Sequence, residues 1–275
     1  TAVGGYALYV NEAANNTAVG YQSLYSNTSG TSNVAVGREA LNQNTSASNN
    51  TGLGYRALYL STTGANNTAV GRECLQANTT GASNTALGST ALDANTTGSF
   101  NTALGQASLT SNTTASNNTG VGYLALGANT TGTRNTAVGT HALDANTTAN
   151  DNTVVGYDAA TANTTGEKNT VVGTYAFDAN TTGSFNTVVG RAALSANTTA
   201  DHNTAIGYQA LDINTTGANN TGVGSGSLDA CTTGSNNTAV GHVALSALTT
   251  ASNNTALGQS AGQSVTTGTS SVFIG

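Results

Sequence analysis

The sequence predicts an all-β fold, a parallel β-solenoid of about 16 coils with a 17-residue repeat. Three observations predict it. A glycine recurs at an unvarying interval, a few apolar and Asn/Thr columns keep their places around it, and variable columns carry complementary side chains one repeat apart.

The glycine closes each Asn-Thr-Ala-Val-Gly unit. It recurs every 17 residues at Gly20, Gly37, Gly54, Gly71 and Gly88, and so on to Gly258 and Gly275, while Gly4 precedes Gly20 by only 16. Residues 1–275 therefore read as one continuous array, a segment of a longer chain. Helix-pair repeats need about 30 residues or more to hold two helices. Seventeen residues with a glycine corner and an Asn-Thr-Thr-Gly turn cannot do so, and short Val-, Thr- and Leu-bearing stretches read as strands joined by tight corners.

The columns are numbered from that glycine. The residue before it is always Val, Leu or Ile and is expected in the core, as in Val19, Val36, Leu53 and Val70. Leu24, Leu41, Leu58 and Leu75, four residues after it, are expected there too. Seven after it stand Asn27, Asn44, Asn78 and Asn95; Cys231, Leu248 and Val265 replace Asn in this column, so it faces inward and can form a stacked Asn ladder. Thr three before the glycine, exchanged for Val34 and Val272, is placed inside by the same reasoning. The column two before it holds only small or apolar residues: Ala18, Ala35, Gly52, Ala69, Val154, Val171, Val188 and Phe273. It is expected to face away from the core and to form an oligomer face. One Val and one Leu per coil, worth roughly 2 kcal/mol apiece, are a thin core for a lone chain, so identical chains are the expected partners.

Stacking in register places residues 17 apart about 4.8 Å from one another. The column two after the glycine reads Glu39, Arg56, Glu73, and the column one after it reads Tyr21, Arg38, Tyr55, Arg72. Twelve after it the sequence has Arg134, Asp151, Lys168. These runs are expected to be inter-coil ladders of ion pairs and cation–π contacts. Asp212 and Asp229 break the pattern as like charges in adjacent coils, and solvation is the expected answer there.

Composition excludes several roles. Charged residues make up 7% of the chain, the net charge is −6, and six Lys and Arg are scattered along it, which argues against a nucleic-acid surface. No apolar run is long enough to span a membrane. Cys74 and Cys231 fall in different columns about nine repeats apart, so two small buried side chains are expected rather than a disulfide. His141, His202 and His242 also occupy different columns and cannot converge on a metal; His141 stacks one coil from Asp158 as a surface pair. No nucleophile, base or phosphate loop is recognisable, so no enzyme, cofactor or metal is expected. Sequons such as Asn78-Thr79-Thr80 fall on the inward Asn column and are expected to escape glycosylation.

The Asn-Thr-Ala-Val-Gly units resemble the Asn-Ser-Val-Ala-Ile-Gly repeat of YadA-like head domains in trimeric autotransporter adhesins; related repeats occur in phage tail fibres and large bacterial surface proteins. Asn33-Val34-Ala35-Val36-Gly37 and Ser271-Val272-Phe273-Ile274-Gly275 match it best, and the 17-residue period is longer than the usual head repeat. The resemblance implies a left-handed β-roll assembled as a homotrimer and displayed on a cell or virion surface. The expected function is an extracellular structural and adhesive fibre segment, a rigid rod roughly 75 Å long at about 4.8 Å per coil. Host or cell-surface molecules are possible partners, met by exposed aromatics such as Tyr21, Tyr55, Tyr123, Tyr157 and Tyr208. The alternatives are a bacteriophage tail-fibre shaft and an ice-binding solenoid. The latter would use the Thr28, Thr45, Thr62, Thr79 column, with one Thr of each adjacent pair pointing inward.

Overall fold

The computed structural model describes all residues, 1–275, and the chain is an all-β parallel solenoid of about sixteen coils with a 17-residue repeat. Its contacts gather it into two compact units, Thr1–Asn135 and Thr136–Gly275. The first unit holds eight strands, from Ala2–Val3 and Thr17–Val19 to Thr119–Val121; the second holds nine, from Thr136–Val138 to Val272–Ile274. Within each unit successive strands pair in parallel with a shift of one repeat, so that Thr17 opposes Val34 and Thr153 opposes Thr170. The first pairing, Ala2 with Ala18, is shifted by 16 because the first repeat is one residue short.

Each strand is only three residues long, and much of the remaining coil also hydrogen-bonds to its neighbours. Leu24 N–H donates to Ala40, Ser26 to Asn42 and Thr28 to Thr45, at 2.9–3.0 Å. Backbone groups in the corners thereby find partners without forming further strands. The closing glycine sits with φ between +123° and +151° throughout. A Cβ on Gly20 would stand 2.5 Å from the Gly37 carbonyl oxygen, so the column admits nothing larger than glycine.

The strands face the opposite way from the expectation. Ala18, Ala35, Ala69, Val154, Val171 and Val188 are fully buried, so they form the core and are not an oligomer face. Val19, Val36 and Val70 are half-buried and Leu53 is 42% exposed, so the Val/Leu/Ile column lies on the outer face. The Thr column joins it there: Thr17 and Thr51 are half-buried, Thr68 and Val34 exposed. Because side chains alternate along a strand, a reading displaced by one residue inverts every assignment in it. The physical reason is space. A Cβ at Gly52, in the inner column, already comes within 3.4 Å of Leu41 and 3.2 Å of the Ala57 carbonyl, so the narrow coil mostly takes Ala beside its Leu.

The Leu column is inside as expected, with Leu24, Leu41, Leu58 and Leu75 fully buried. Beside each Leu stands a second buried residue, as in Ala40–Leu41 and Cys74–Leu75. Two neighbours face inward because the backbone turns left-handed at alternate residues, Glu39 (φ 59°) and Leu41 (φ 50°) in that coil. A third left-handed residue begins the approach to each strand, at Asn15, Asn49, Asn66 and their successors.

The remaining interior is polar. Asn27, Asn44, Asn78 and Asn95 are fully buried and stack as a ladder: Asn44 Nδ2 donates to Asn27 Oδ1 at 2.7 Å, and Asn95 Nδ2 to Asn78 Oδ1 at 2.9 Å. A second buried Asn column, unanticipated from sequence, runs four residues before the glycine. Each Oδ1 accepts the backbone N–H of the Asn in the next coil, as between Asn33 and Asn50 at 2.9 Å. Its amide Nδ2 meanwhile donates to a corner carbonyl, Asn50 to Gly64 at 2.9 Å.

Candidate interaction surfaces

Three outward surfaces carry chemistry. The first is the outer strand face, where Thr or Val alternates with Val, Leu or Ile and no charged residue occurs. Leu87, Val172, Ile206 and Leu257 are among its exposed side chains. Parallel registration lines them up one per coil within each unit.

The second surface belongs to the first unit and gathers six of the ten tyrosines. Tyr6, Tyr9 and Tyr21 are 55%, 60% and 47% exposed. Tyr9 and Tyr25 stack with centroids 5.2 Å apart, and Tyr6 meets Tyr21 edge-on at 6.0 Å. Next to them, the expected Glu39–Arg56–Glu73 ladder forms only in its first rung, a 2.6 Å contact between Arg56 and Glu39. Arg56 lies 5.2 Å over the Tyr55 ring and 5.1 Å over Tyr59, while Arg38 lies 5.9 Å over Tyr55. Tyr55 is therefore half-covered rather than exposed. Arg38 and Arg72 pair within their own coils, with Glu39 at 3.0 Å and Glu73 at 2.8 Å. The hydrogen bond from Arg56, above all, holds the Glu39 carboxyl below its ordinary range.

The third surface is an acidic groove in the second unit, built from the columns two and five residues after the glycine. His141 Nδ1 and Asp158 Oδ1 are 3.0 Å apart, with Asp144, Thr161, Tyr175 and Asp178 around them. Further along, Asp212 accepts hydrogen bonds from Ser195 Oγ at 2.5 Å and Gln209 Nε2 at 3.0 Å, while Asp229 Oδ1 is buried without a partner. Asp, Thr and Ser recur at this position, which spaces most like charges two coils apart. Burial pushes the carboxyls of Asp144, Asp178 and Asp229 up, as it does that of Asp93 at the same repeat position in the first unit. No group of three His, Cys, Asp or Glu side chains converges on a point where a metal could be held.

The other sequence-selected residues divide plainly. Of the third charge run, Arg134 belongs to the first unit and Asp151 and Lys168 to the second. Lys168 Nζ lies 5.0 Å over Phe185, which stacks on His202 at 4.9 Å, a ladder unforeseen in the sequence. Cys74 and Cys231 are free and buried, the first beside Leu75 in the column of Ala40 and Ala57 and the second in the Asn column. Tyr123, Tyr157 and Tyr208 are exposed. Neither member of a Thr-Thr pair is buried: Thr62 is half-buried, with its hydroxyl donating to the Thr79 carbonyl at 3.1 Å, and Thr63 is exposed. The expected inward Thr is thus absent. No helix is long and apolar enough to cross a membrane. No protein-family model matches the chain, and no curated protein matches it.

Proposed function

We propose that the chain is a structural and adhesive segment of an extracellular fibre, on a cell or virion surface, in which identical chains pack through the outer faces of their strands. The observation that carries this reading is the uncharged strand face with its repeated exposed Val, Leu or Ile. A contiguous apolar surface of that kind is unusual on a solitary soluble chain and marks an interaction site. The occupant that matches it at every coil is another copy, because both partners then repeat at the same spacing. The homotrimer implied by the YadA-like resemblance is the assembly we favour; a phage tail-fibre shaft has the same core and differs in what adjoins it. The role is non-catalytic.

Sedimentation equilibrium at micromolar concentration tests assembly. We expect a stable oligomer, converted to monomer by the combined substitutions Val155→Asp, Val172→Asp and Val189→Asp, which place charges on the outer face without touching the core. A monomeric parent chain overturns the proposal.

Ice binding is a second reading, and one observation favours it: outward Thr and Val ranks lie two residues apart on one strand face. Thermal hysteresis in dilute solution separates it from the fibre reading.

A further inference from the structure

We propose that the tyrosine–arginine face of the first unit binds a linear polysaccharide laid along the stack, with about one sugar per coil. This deepens the adhesive reading and rests on it. Six tyrosines and three of the six Lys and Arg residues fall between positions 6 and 72. All six rings touch another ring or a guanidinium of the same patch. They are held in place before any ligand arrives, so little side-chain entropy is lost on binding.

The chemistry fits sugars better than other partners. A pyranose presents an apolar C–H face and an equatorial rim of hydroxyls. The exposed rings of Tyr6, Tyr9 and Tyr21, with the half-exposed edge of Tyr55, match the first and planar guanidinium forks match the second. Tyr21, Arg38, Tyr55 and Arg72 alternate along one column. Coils repeat at about 4.8 Å, close to the length of one pyranose in a linear chain. A rigid repeating polymer can therefore engage successive coils and add weak contacts into useful avidity. A protein partner would call for a pocket to take a buried anchor, and the ladder column is a regular surface of rings and forks. A nucleic acid would call for surplus cation, yet Glu39 and Glu73 already pair the three arginines. Charge also separates the units. The first has four arginines against four carboxylates, the second two bases against eight, so an acidic glycan is repelled by the second unit and tolerated by the first.

The chain has no Trp, so its intrinsic fluorescence comes from its ten tyrosines, six of them in this patch, and the Tyr157 and Tyr208 variants control for those outside it. The full chain is titrated with two probes, a hyaluronan decasaccharide (alternating uronic acid and N-acetylhexosamine) and cellohexaose (neutral). We expect a saturable fluorescence change with at least one of them. Tyr21→Ser and Tyr55→Ser should each weaken binding at least tenfold. Both are safe for folding, because Ser89 and Ser225 fill the same column in other coils. Arg38→Ala should weaken the acidic probe more than the neutral one, if the acidic probe binds. Tyr157→Ser and Tyr208→Ser in the second unit should change nothing. No saturable change with either probe, or equal losses from second-unit variants, overturns the proposal. Because the titration reads the soluble probe on the chain whatever its oligomeric state, a failure here leaves the sedimentation result standing.

Discussion

At the residue scale, the interior is governed by whether each buried amide has its neighbour. Among all buried side-chain amides only Asn44 Oδ1 and Asn214 Oδ1 lack partners, and both occur where the next residue up the ladder is not Asn. Ser61 follows Asn44 and turns its hydroxyl to Gly64 at 3.5 Å; Cys231 follows Asn214 and directs Sγ to Gly234 at 3.5 Å. A buried acceptor without a donor costs about 1–3 kcal/mol. Ser61→Asn, which has Asn78 above it to complete the ladder, should therefore raise the unfolding free energy by about 1 kcal/mol or more, measured by urea denaturation. Cys231→Asn should gain less, because Leu248 above it leaves the new Oδ1 without a donor. A neutral or destabilising result at position 61 would show that the ladder does not contribute as described. This column was legible in the sequence because Cys, Leu and Val replace Asn in it. The second Asn column was missed because only Ser271 departs from Asn there, so no apolar exchange betrayed its burial.

At the element scale, the strand's position was legible and its orientation was not. A three-residue strand gives the period-2 rule no length over which to average, and Val outranks Ala in hydrophobicity. The interior nevertheless takes Ala because Leu fills the space beside it. The left-handed backbone at Leu24 and Leu41 has no signal either, since Leu is not a residue that favours φ > 0. The corner at Asn15, Asn49 and Asn66 does have one, because Asn tolerates that region. The acidic column makes a pH prediction. Its carboxyls are raised by burial, so the folded state holds their protons more tightly than the unfolded chain does. Their contribution to stability is full below the ordinary value of 3.8 and is lost as pH rises through the raised one. Asp178→Asn should thus raise the melting temperature at neutral pH and match the parent chain in acid. A variant less stable than the parent at neutral pH would contradict the assignment. Glu39 runs the other way: its lowered value adds stability above 4.5 that is lost as pH falls through the folded-state value.

At the scale of the whole molecule, repeat arrays open locally, since each coil contacts only its neighbours. Each compact unit carries one buried thiol, and burial pushes Cys74 up to about 12 and Cys231 up to about 11. Neither ionises at neutral pH, so a thiol reagent should label them only as their own units open, at two distinguishable rates that rise with denaturant. Immediate labelling of both in the native state would show that the interior is not closed. The repeat count, the period and the Leu and Asn columns could all be read from sequence, because each is enforced by every coil. The gathering of tyrosines could not, because their column membership becomes a surface only after the corners are known. The central claim is that outward Thr and Val/Leu/Ile ranks join identical chains. Cryo-electron microscopy of the assembled particle tests it most directly. We predict a cross-section in which these ranks from neighbouring chains face one another, with the Ala column enclosed within each coil. A single solenoid with that face bare to solvent, or an interface built on other columns, would contradict the account.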